Sequence, residues 1–158
     1  MSKPQIYDVL QREHEEVGEL FHRLEEAKGL IAHQLFVRLK LKLVPHARAE
    51  EAIVYPRLLK ADATAEQVLE SLEEHKQVDN LIAELDALSP RDERWAPKMK
   101  VLADMVGHHV DEEEGELFPR ARQILSDREA VELAEAYARE RDAFIDDMQR
   151  AEQRGAAE

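Results

Sequence analysis

Two stretches of eleven residues, 46–56 and 109–119, place chemically reactive side chains at the same spacing. Each stretch begins with a histidine, carries glutamates four and five residues later, and ends in an aromatic residue followed by proline. On a helix, residues four apart lie one above the other, about 6 Å along the axis, so an imidazole and a carboxylate can bind the same metal ion. The repeated motif therefore predicts two metal-binding half-sites that face each other.

A weaker repeat precedes each motif. Glu13 and His14 correspond to Glu74 and His75, and apolar residues follow both pairs at helical spacing. The pattern thus predicts a duplicated helical hairpin. In each copy, a helix with one inward histidine is followed by a helix with a His-x-x-x-Glu pair. The predicted inward set has six members: His14, His46, Glu50, His75, His109 and Glu113.

This set predicts a pair of metal ions. Four imidazoles and two carboxylates are too many for one tetrahedral zinc ion, but they suit two adjacent six-coordinate ions. If both glutamates and a solvent-derived oxygen bridge the ions, about one position on each ion stays open, which is typical of reactive sites. The chain has no cysteine, so the ligand types favour iron, manganese or zinc over copper(I) or a metal cluster.

Several residues near the motifs are open to two interpretations. His108 competes with His109 for the second motif, although the repeat spacing favours His109. Glu51 and Glu114 directly follow predicted ligands and lie about 100° further round the helix. They either support the metal site or are solvated or salt-bridged, and the second interpretation is favoured. His22 either faces the bundle interior near the site or is a partly exposed histidine, and the exposed position is favoured.

The overall charge limits the partners. A net charge of −13 at pH 7 disfavours nucleic acid and anionic membranes, because both need basic protein surfaces. No apolar run is long enough to span a membrane, and the polar residues 1–5 do not resemble a signal peptide. We therefore expect cytoplasmic residence, a small-molecule ligand, and a monomer or weak homodimer.

The apolar periodicity predicts five helices and no strand. Their approximate ranges are 5–28, 30–60, 64–88, 95–125 and 128–150, and Thr64 is a candidate N-cap of the third. Pro45 marks either a kink or a boundary within the second helix. Pro56 and Pro119 are expected to end or kink their helices.

These helices predict an all-α fold. Four long amphipathic helices with short connections form an up-down-up-down antiparallel four-helix bundle, with an additional C-terminal helix. We predict a single domain over residues 1–158, with a core at about 5–125 and the extra helix at about 128–150. The apolar stripe of that helix favours packing on the bundle over a dimer face.

The duplicated His-x-x-x-Glu-Glu motif, with its aromatic residue, its proline and a lone helical histidine before each copy, resembles the hemerythrin-like family of HHE cation-binding domains. The resemblance covers about residues 5–125 and fills all six ligand positions. It implies a bundle that holds two iron ions, bridged by Glu50, Glu113 and an oxygen. Oxygen-carrying hemerythrins use five histidines, whereas here His75 is followed four residues later by Asp79. The four-His, two-Glu set is closer to bacterial iron-repair proteins and iron-sensing domains, which argues against reversible oxygen carriage.

The sequence therefore predicts a non-haem di-iron protein whose open metal positions meet dioxygen, nitric oxide or peroxide, in sensing, stress response or iron handling. Redox turnover of peroxide or nitric oxide is left open. Two alternatives remain at this point. One is a helical protein-interaction module with no functional metal, and the other is a zinc or manganese protein on the same fold.

Overall fold

The computed structural model describes residues 2–157, and within that range it contains helices and no strand. Among the same residues, no helix is both long and apolar enough to cross a membrane. The α-helices follow one another along the chain, with a wide-turn π-helical segment after the second and another after the fifth. The bounds are α1 Ile6–Leu24, α2 Gly29–Ala49, the first π segment Glu50–Val54, α3 Tyr55–Leu58, α4 Asp62–Asp86, α5 Trp95–Glu112, the second π segment Glu113–Leu117, α6 Phe118–Ile124 and α7 Asp127–Ala157.

In space these elements form four rods and an additional helix. The first π segment joins α2 to α3 in one continuous rod, and the second joins α5 to α6 in the same way. α1 packs against α2 and α5, α4 packs against α5, and α7 lies against α1, α2 and the first π segment. This arrangement confirms the predicted helical bundle with an extra C-terminal helix, and α7 packs on the bundle as its apolar stripe indicated.

Apolar residues at helical spacing build two separate core clusters. The first includes Phe36, Leu39 and Leu102, and the second includes Leu10 and Leu58. Burying a large apolar side chain of this kind contributes about 1.5–3 kcal/mol to stability. Along each rod, residues of one cluster precede the predicted site histidine and residues of the other follow it. The histidines therefore lie in a buried polar layer between the two clusters.

The helix ends differ most from the predicted ones at the C-termini of α1 and α7. α1 already ends at Leu24, and α7 continues to Ala157, beyond the predicted end at 150. α4 begins at Asp62, so Thr64 lies inside its first turn and the prediction that Thr64 caps the helix is wrong. The Thr64 hydroxyl instead donates to the backbone carbonyl of Leu58 at 2.5 Å, which ties α4 to the end of α3.

Gly29 turns the chain between α1 and α2. Its φ of 57° lies in the left-handed region, where a Cβ costs about 1–2 kcal/mol. Glycine allows the chain to reverse within a short connection, so α1 and α2 become neighbours and the rods that carry His14 and His46 pack side by side.

The prolines of the two motifs do not end their helices. Proline lacks an N–H, and its ring crowds the carbonyl four residues earlier. Ahead of Pro56 the turn is widened, so that the amide of Tyr55 donates to the carbonyl of Glu50, five residues back. The second π segment widens the turn ahead of Pro119 in the same way. Instead of the expected helix end, a wide turn begins at each motif glutamate, whereas Pro45 lies inside α2 and does not bound it.

Candidate metal centre

All six predicted site residues meet in the polar layer. Each is buried, with at most 8% of its surface exposed, and the two glutamates are exposed by 0% and 2%. α1, α2, α4 and α5 each contribute one histidine, and each glutamate opens a π segment. Their nitrogen and oxygen atoms form two groups that could each hold an ion: His14, His46 and Glu113 in one, and Glu50, His75 and His109 in the other.

Glu50 lies between two histidines of different groups. Its Oε1 is 3.1 Å from Nε2 of His46 and 3.7 Å from Nε2 of His75. Because these histidines belong to different groups, the Glu50 carboxylate reaches both ion positions.

Glu113 occupies the equivalent place in the second half of the chain. Its Oε1 is 3.2 Å from Nε2 of His14, and its Oε2 is 3.4 Å from Nε2 of His109. Both glutamates therefore span the two groups. This geometry suits a pair of ions joined by two bridging carboxylates.

Acidic side chains hold the outward-facing Nδ1 atoms of three histidines. The pairs are His75 with Glu51 at 2.7 Å, His14 with Glu114 at 2.8 Å, and His109 with Glu74 at 2.8 Å. The hydrogen bond from His109 lowers the pKa of Glu74, which stays ionised. An ionised carboxylate only accepts hydrogen bonds, so Nδ1 carries the proton and Nε2 presents a lone pair to the layer. That is the tautomer a metal-binding imidazole needs, and the carboxylate makes it a better ligand.

Lone pairs therefore converge at the centre of the layer. Nε2 of His75 and Nε2 of His109 are 3.2 Å apart, which places two lone pairs against each other unless a cation lies between them. Atoms bound to one ion at about 2.1 Å lie roughly 3–4 Å apart, so the observed separation fits shared coordination. Within residues 2–157, three buried atoms of the layer lack a hydrogen-bond partner: His14 Nε2, Glu50 Oε1 and Glu113 Oε1. The donor set thus fits cations.

In the absence of metal, protons compensate the buried carboxylates. Burial disfavours the charged form of Glu113, yet the adjacent imidazoles of His109 and His14, which can take up protons in place of metal ions, hold its pKa well below the usual range. Burial alone would lower the pKa of His46, but the charge of Glu50 and the hydrogen bonds of neighbouring carboxylates outweigh it and raise that pKa to about 10. The layer therefore attracts positive charge.

His46 has a different outer partner from the other three histidines. Its Nδ1 lies 2.9 Å from the hydroxyl of the fully buried Tyr137 on α7, and 3.7 Å from Glu13 Oε2. Arg141, one turn further along α7, approaches Glu13 Oε1 at 3.5 Å. The C-terminal helix therefore contributes to the layer directly, because it orients His46.

Tyr55 brings a hydroxyl into the layer. Its side chain is buried, and its Oη donates to Glu113 Oε2 at 2.8 Å and lies 3.4 Å from Nε2 of His75. The second motif has Phe118 at the equivalent position, and that ring stacks beside His14 with centroids 6.3 Å apart. The two halves of the layer are therefore alike in their ligands and unlike in this neighbour.

A small cavity lies beside the histidines. Its volume is about 30 Å³, and apolar side chains form most of its wall, including Val17, Leu43, Val78 and Val106. This is space for about one molecule of the size of water. Asp79 also lines it, but both of its oxygens bond to Arg48 at 2.6 Å, so the structure gives it a partner other than an ion.

The structure also shows where the other histidines and glutamates near the motifs lie. His108 lies outside the layer with a side chain 65% exposed, and His109 lies inside it, as the repeat spacing favoured. The side chain of His22 is 76% exposed, as expected. Glu51 and Glu114 were expected to be solvated or salt-bridged rather than to support the site, but each accepts a hydrogen bond from a histidine of the layer, and Glu51 also pairs with Arg48.

Four residues that support the layer were not predicted from the sequence. Glu13 and Glu74 directly precede the lone histidines in both repeats, and that repetition was a usable signal for their role. Tyr55 follows Glu50 by five residues, a spacing that helical periodicity places on different faces until the turn widens. Tyr137 lies on the helix outside the repeat, so the duplicated pattern held no information about it.

Comparison with known proteins places the chain in a family. The hemerythrin HHE cation binding domain matches residues 5–121, and the chain belongs to this family. The crystal structure of a hemerythrin HHE cation binding domain-containing protein from Mycobacterium kansasii, described as the Rv2633c homologue, is similar with a TM-score of 0.80 and 25% identity, over 93% of this chain and 90% of that one. Together with the buried histidine and glutamate clusters, the family fits a metal-binding helical protein.

Curated relatives extend the comparison. The uncharacterised protein Rv2633c of Mycobacterium tuberculosis is 28% identical, over 84% of this chain and 82% of its own length. A Nostoc protein named DNA nickase is 29% identical over 82% of this chain, which spans only 37% of that protein. A hemerythrin-like protein of Schizosaccharomyces pombe is 25% identical over 62% of this chain and 49% of its own.

Proposed function

We propose that this protein holds two iron ions in the polar layer and that open positions on these ions meet dioxygen, nitric oxide or peroxide. The observation that carries the proposal is the position of the two glutamates, each between histidines of different groups. Bound iron with nitrogen and carboxylate ligands supplies redox chemistry toward such ligands. The proposed iron ligands are His14, His46, Glu50, His75, His109 and Glu113.

The protein's own groups prepare this site. Glu51, Glu74 and Glu114 fix the Nδ1 protons of three histidines, which turns each Nε2 towards the layer. The apolar clusters on either side of the layer limit the access of bulk water. Tyr55 holds a proton at Oη, 2.8 Å from Glu113 Oε2, and a ligand beside that carboxylate is within reach of the same proton.

The cavity beside the histidines supports a small ligand. At about 30 Å³ it is too small for an organic substrate, and its valine and leucine walls favour neutral diatomic molecules. Peroxide is similar in size to these diatomic molecules. We propose a cytoplasmic role in sensing, stress response or iron handling, with turnover of peroxide or nitric oxide as one use of the same centre.

Elemental analysis tests the metal content directly. After anaerobic loading with ferrous iron and removal of the excess, we expect about two irons per chain in the unaltered protein and fewer than about one in His75→Ala or Glu113→Ala. His22→Ala replaces an exposed histidine and should retain the full content. A folded, unaltered protein that takes up almost no iron contradicts the proposal.

Two alternatives predict different results in simple experiments. Zinc and manganese bind the same residue types, and loading with mixtures of the metals shows which ion the site selects. An interaction module without a functional metal predicts that chelation changes neither the melting temperature nor partner binding.

Nickase activity is not part of the proposal. The match to the Nostoc protein covers only 37% of that protein. The net charge of −13 also disfavours contact with a phosphate backbone.

A further inference from the structure

A second cluster of metal-ligating side chains lies outside the buried layer. It contains His108 and Glu112 from α5 and Glu74 from α4, and one ligand atom from each lies within 4.8 Å of the others. His108 Nε2 is 3.1 Å from Glu112 Oε1 and 4.0 Å from Glu74 Oε2. Atoms bound to one ion at about 2.1 Å lie roughly 3–4 Å apart, so these atoms can occupy three positions around a single ion.

The cluster is open to solvent and is built on two packed helices. The His108 side chain is 65% exposed, and those of Glu74 and Glu112 are 20% and 29% exposed. Water can therefore complete the coordination of an ion held there. His108 and Glu112 are four residues apart on one face of α5, and α4 packs against that helix. One imidazole and two carboxylates suit a divalent first-row transition-metal ion.

Glu74 connects this cluster to the buried layer. Its Oε1 is 2.8 Å from Nδ1 of His109, whereas its Oε2 faces His108. His108 and Glu112 directly precede His109 and Glu113. The exposed His-Glu pair therefore has the same four-residue spacing as the buried pair and lies one residue earlier in the chain. One carboxylate therefore serves both clusters.

We propose that Glu74, His108 and Glu112 form a further binding site for a divalent first-row transition-metal cation at the protein surface. An ion at this site shares Glu74 with His109. A cation beside Oε2 draws negative charge away from the hydrogen bond at Oε1, so occupancy of the surface site weakens the support that Glu74 gives to His109. The surface site needs none of the six buried residues and stands apart from the proposed iron function.

Equilibrium dialysis against zinc, with iron and zinc measured in the same sample, tests the surface site. For the iron-loaded protein we expect one additional zinc per chain with the iron content unchanged. His108→Ala and Glu112→Gln should each weaken this zinc binding at least about tenfold, while the iron content and helical circular dichroism stay the same.

His22→Ala is the matched control. His22 is exposed and its Nδ1 lies 3.7 Å from Glu25, but in the described part of the chain this pair has no third metal-ligating side chain beside it. We expect His22→Ala to leave the additional zinc in place. Glu74→Gln gives a separate readout, because it should lose the zinc and also weaken iron binding, whereas His108→Ala should lose only the zinc.

The absence of saturable zinc binding in the unaltered protein would overturn the surface site and indicate that His108 forms only ion pairs with its glutamates. Equal losses of zinc in His108→Ala and His22→Ala would overturn it as well. If the protein takes up no iron but His108→Ala still removes one zinc, the surface site stands and the iron proposal fails. If the protein takes up iron but His108→Ala removes no zinc, the iron proposal stands and the surface site fails.

Discussion

Each histidine of the buried layer has two nitrogens with different tasks. Nε2 faces the layer, and Nδ1 bonds to a carboxylate in three cases and to a phenol in the fourth. These outer partners set the tautomer and the basicity of the imidazole. We therefore expect them to control metal affinity, although they lie on the far side of the ring from the proposed ion positions.

Glu114→Gln tests this control. The change keeps the size of the side chain and removes the negative charge opposite Nδ1 of His14. We expect the metal affinity to fall about 10- to 100-fold, as measured by competition with a chelator. Glu116→Gln, an exposed change in the same π segment, should leave the affinity unchanged. Equal losses in the two variants would contradict a specific role for Glu114.

Tyr55→Phe tests the hydroxyl in the layer. Phe118 shows that a phenylalanine fits the equivalent position, so we expect the fold and the iron content to persist. Glu113 loses a 2.8 Å hydrogen bond, and a buried acceptor left without its donor costs about 1–3 kcal/mol, measurable by urea unfolding of the metal-free protein. Reaction rates with peroxide or nitric oxide should also change.

Tyr7→Phe is the control for this experiment. The Tyr7 hydroxyl is buried too, but it has no hydrogen-bond partner within residues 2–157. Its removal should cost little stability and should leave reaction rates unchanged. A loss as large as that of Tyr55→Phe would show that the Tyr55 effect comes from general core packing.

At the scale of helices, the sequence was informative where a pattern repeats. The six residues of the layer could be recognised because both halves carry the same spacing, and the apolar periodicity located all the long helices. The π segments could not be predicted, because periodicity assumes about 3.6 residues per turn and the wide turn adds one residue. Tyr55 was missed for this reason. Tyr137 was missed because its contact with His46 depends on how α7 packs, which no local pattern specifies.

The connection between α1 and α2 depends on one backbone conformation. Gly29→Ala places a Cβ at a φ of 57°, so we expect a loss of about 1–2 kcal/mol in the free energy of unfolding. Gly18→Ala is the matched control, because Gly18 lies within α1 and a Cβ there meets nothing within 4 Å. That variant should gain up to about 1 kcal/mol, since alanine favours the helix interior. Denaturant unfolding measures the change in the free energy of unfolding for both variants. A change of the same sign in both would contradict the role of Gly29 in the turn.

At the scale of the whole molecule, a polar layer with two buried carboxylates separates two apolar clusters. Every rod of the bundle passes through this layer, so its electrostatic balance affects the packing on both sides. Cations in the layer offset the negative charge that the glutamates bring into the interior. Metal binding and folding are therefore expected to be linked.

Metal removal should lower the stability of the entire bundle. A ligand that binds only the folded state at about 1,000 times its dissociation constant adds about 4 kcal/mol. We expect the melting temperature to fall clearly after chelation, with both apolar halves unfolding together. The His75→Ala variant should show a much smaller response to the chelator. Equal melting temperatures with and without metal in the unaltered protein would contradict the linkage.

The contrast between the phenol at His46 and the carboxylates elsewhere makes the two ion positions unequal. At the position next to His14 and His46, one imidazole contacts a carboxylate and the other contacts a phenol directly, with the Glu13 carboxylate further away at 3.7 Å. At the position next to His75 and His109, both imidazoles contact carboxylates directly. A carboxylate gives an imidazole more electron density than a phenol does, which favours the ferric ion. If the layer holds two iron ions as proposed, we expect the singly reduced centre to show two separate iron signals in its Mössbauer spectrum, with the ferrous ion at the position next to His46.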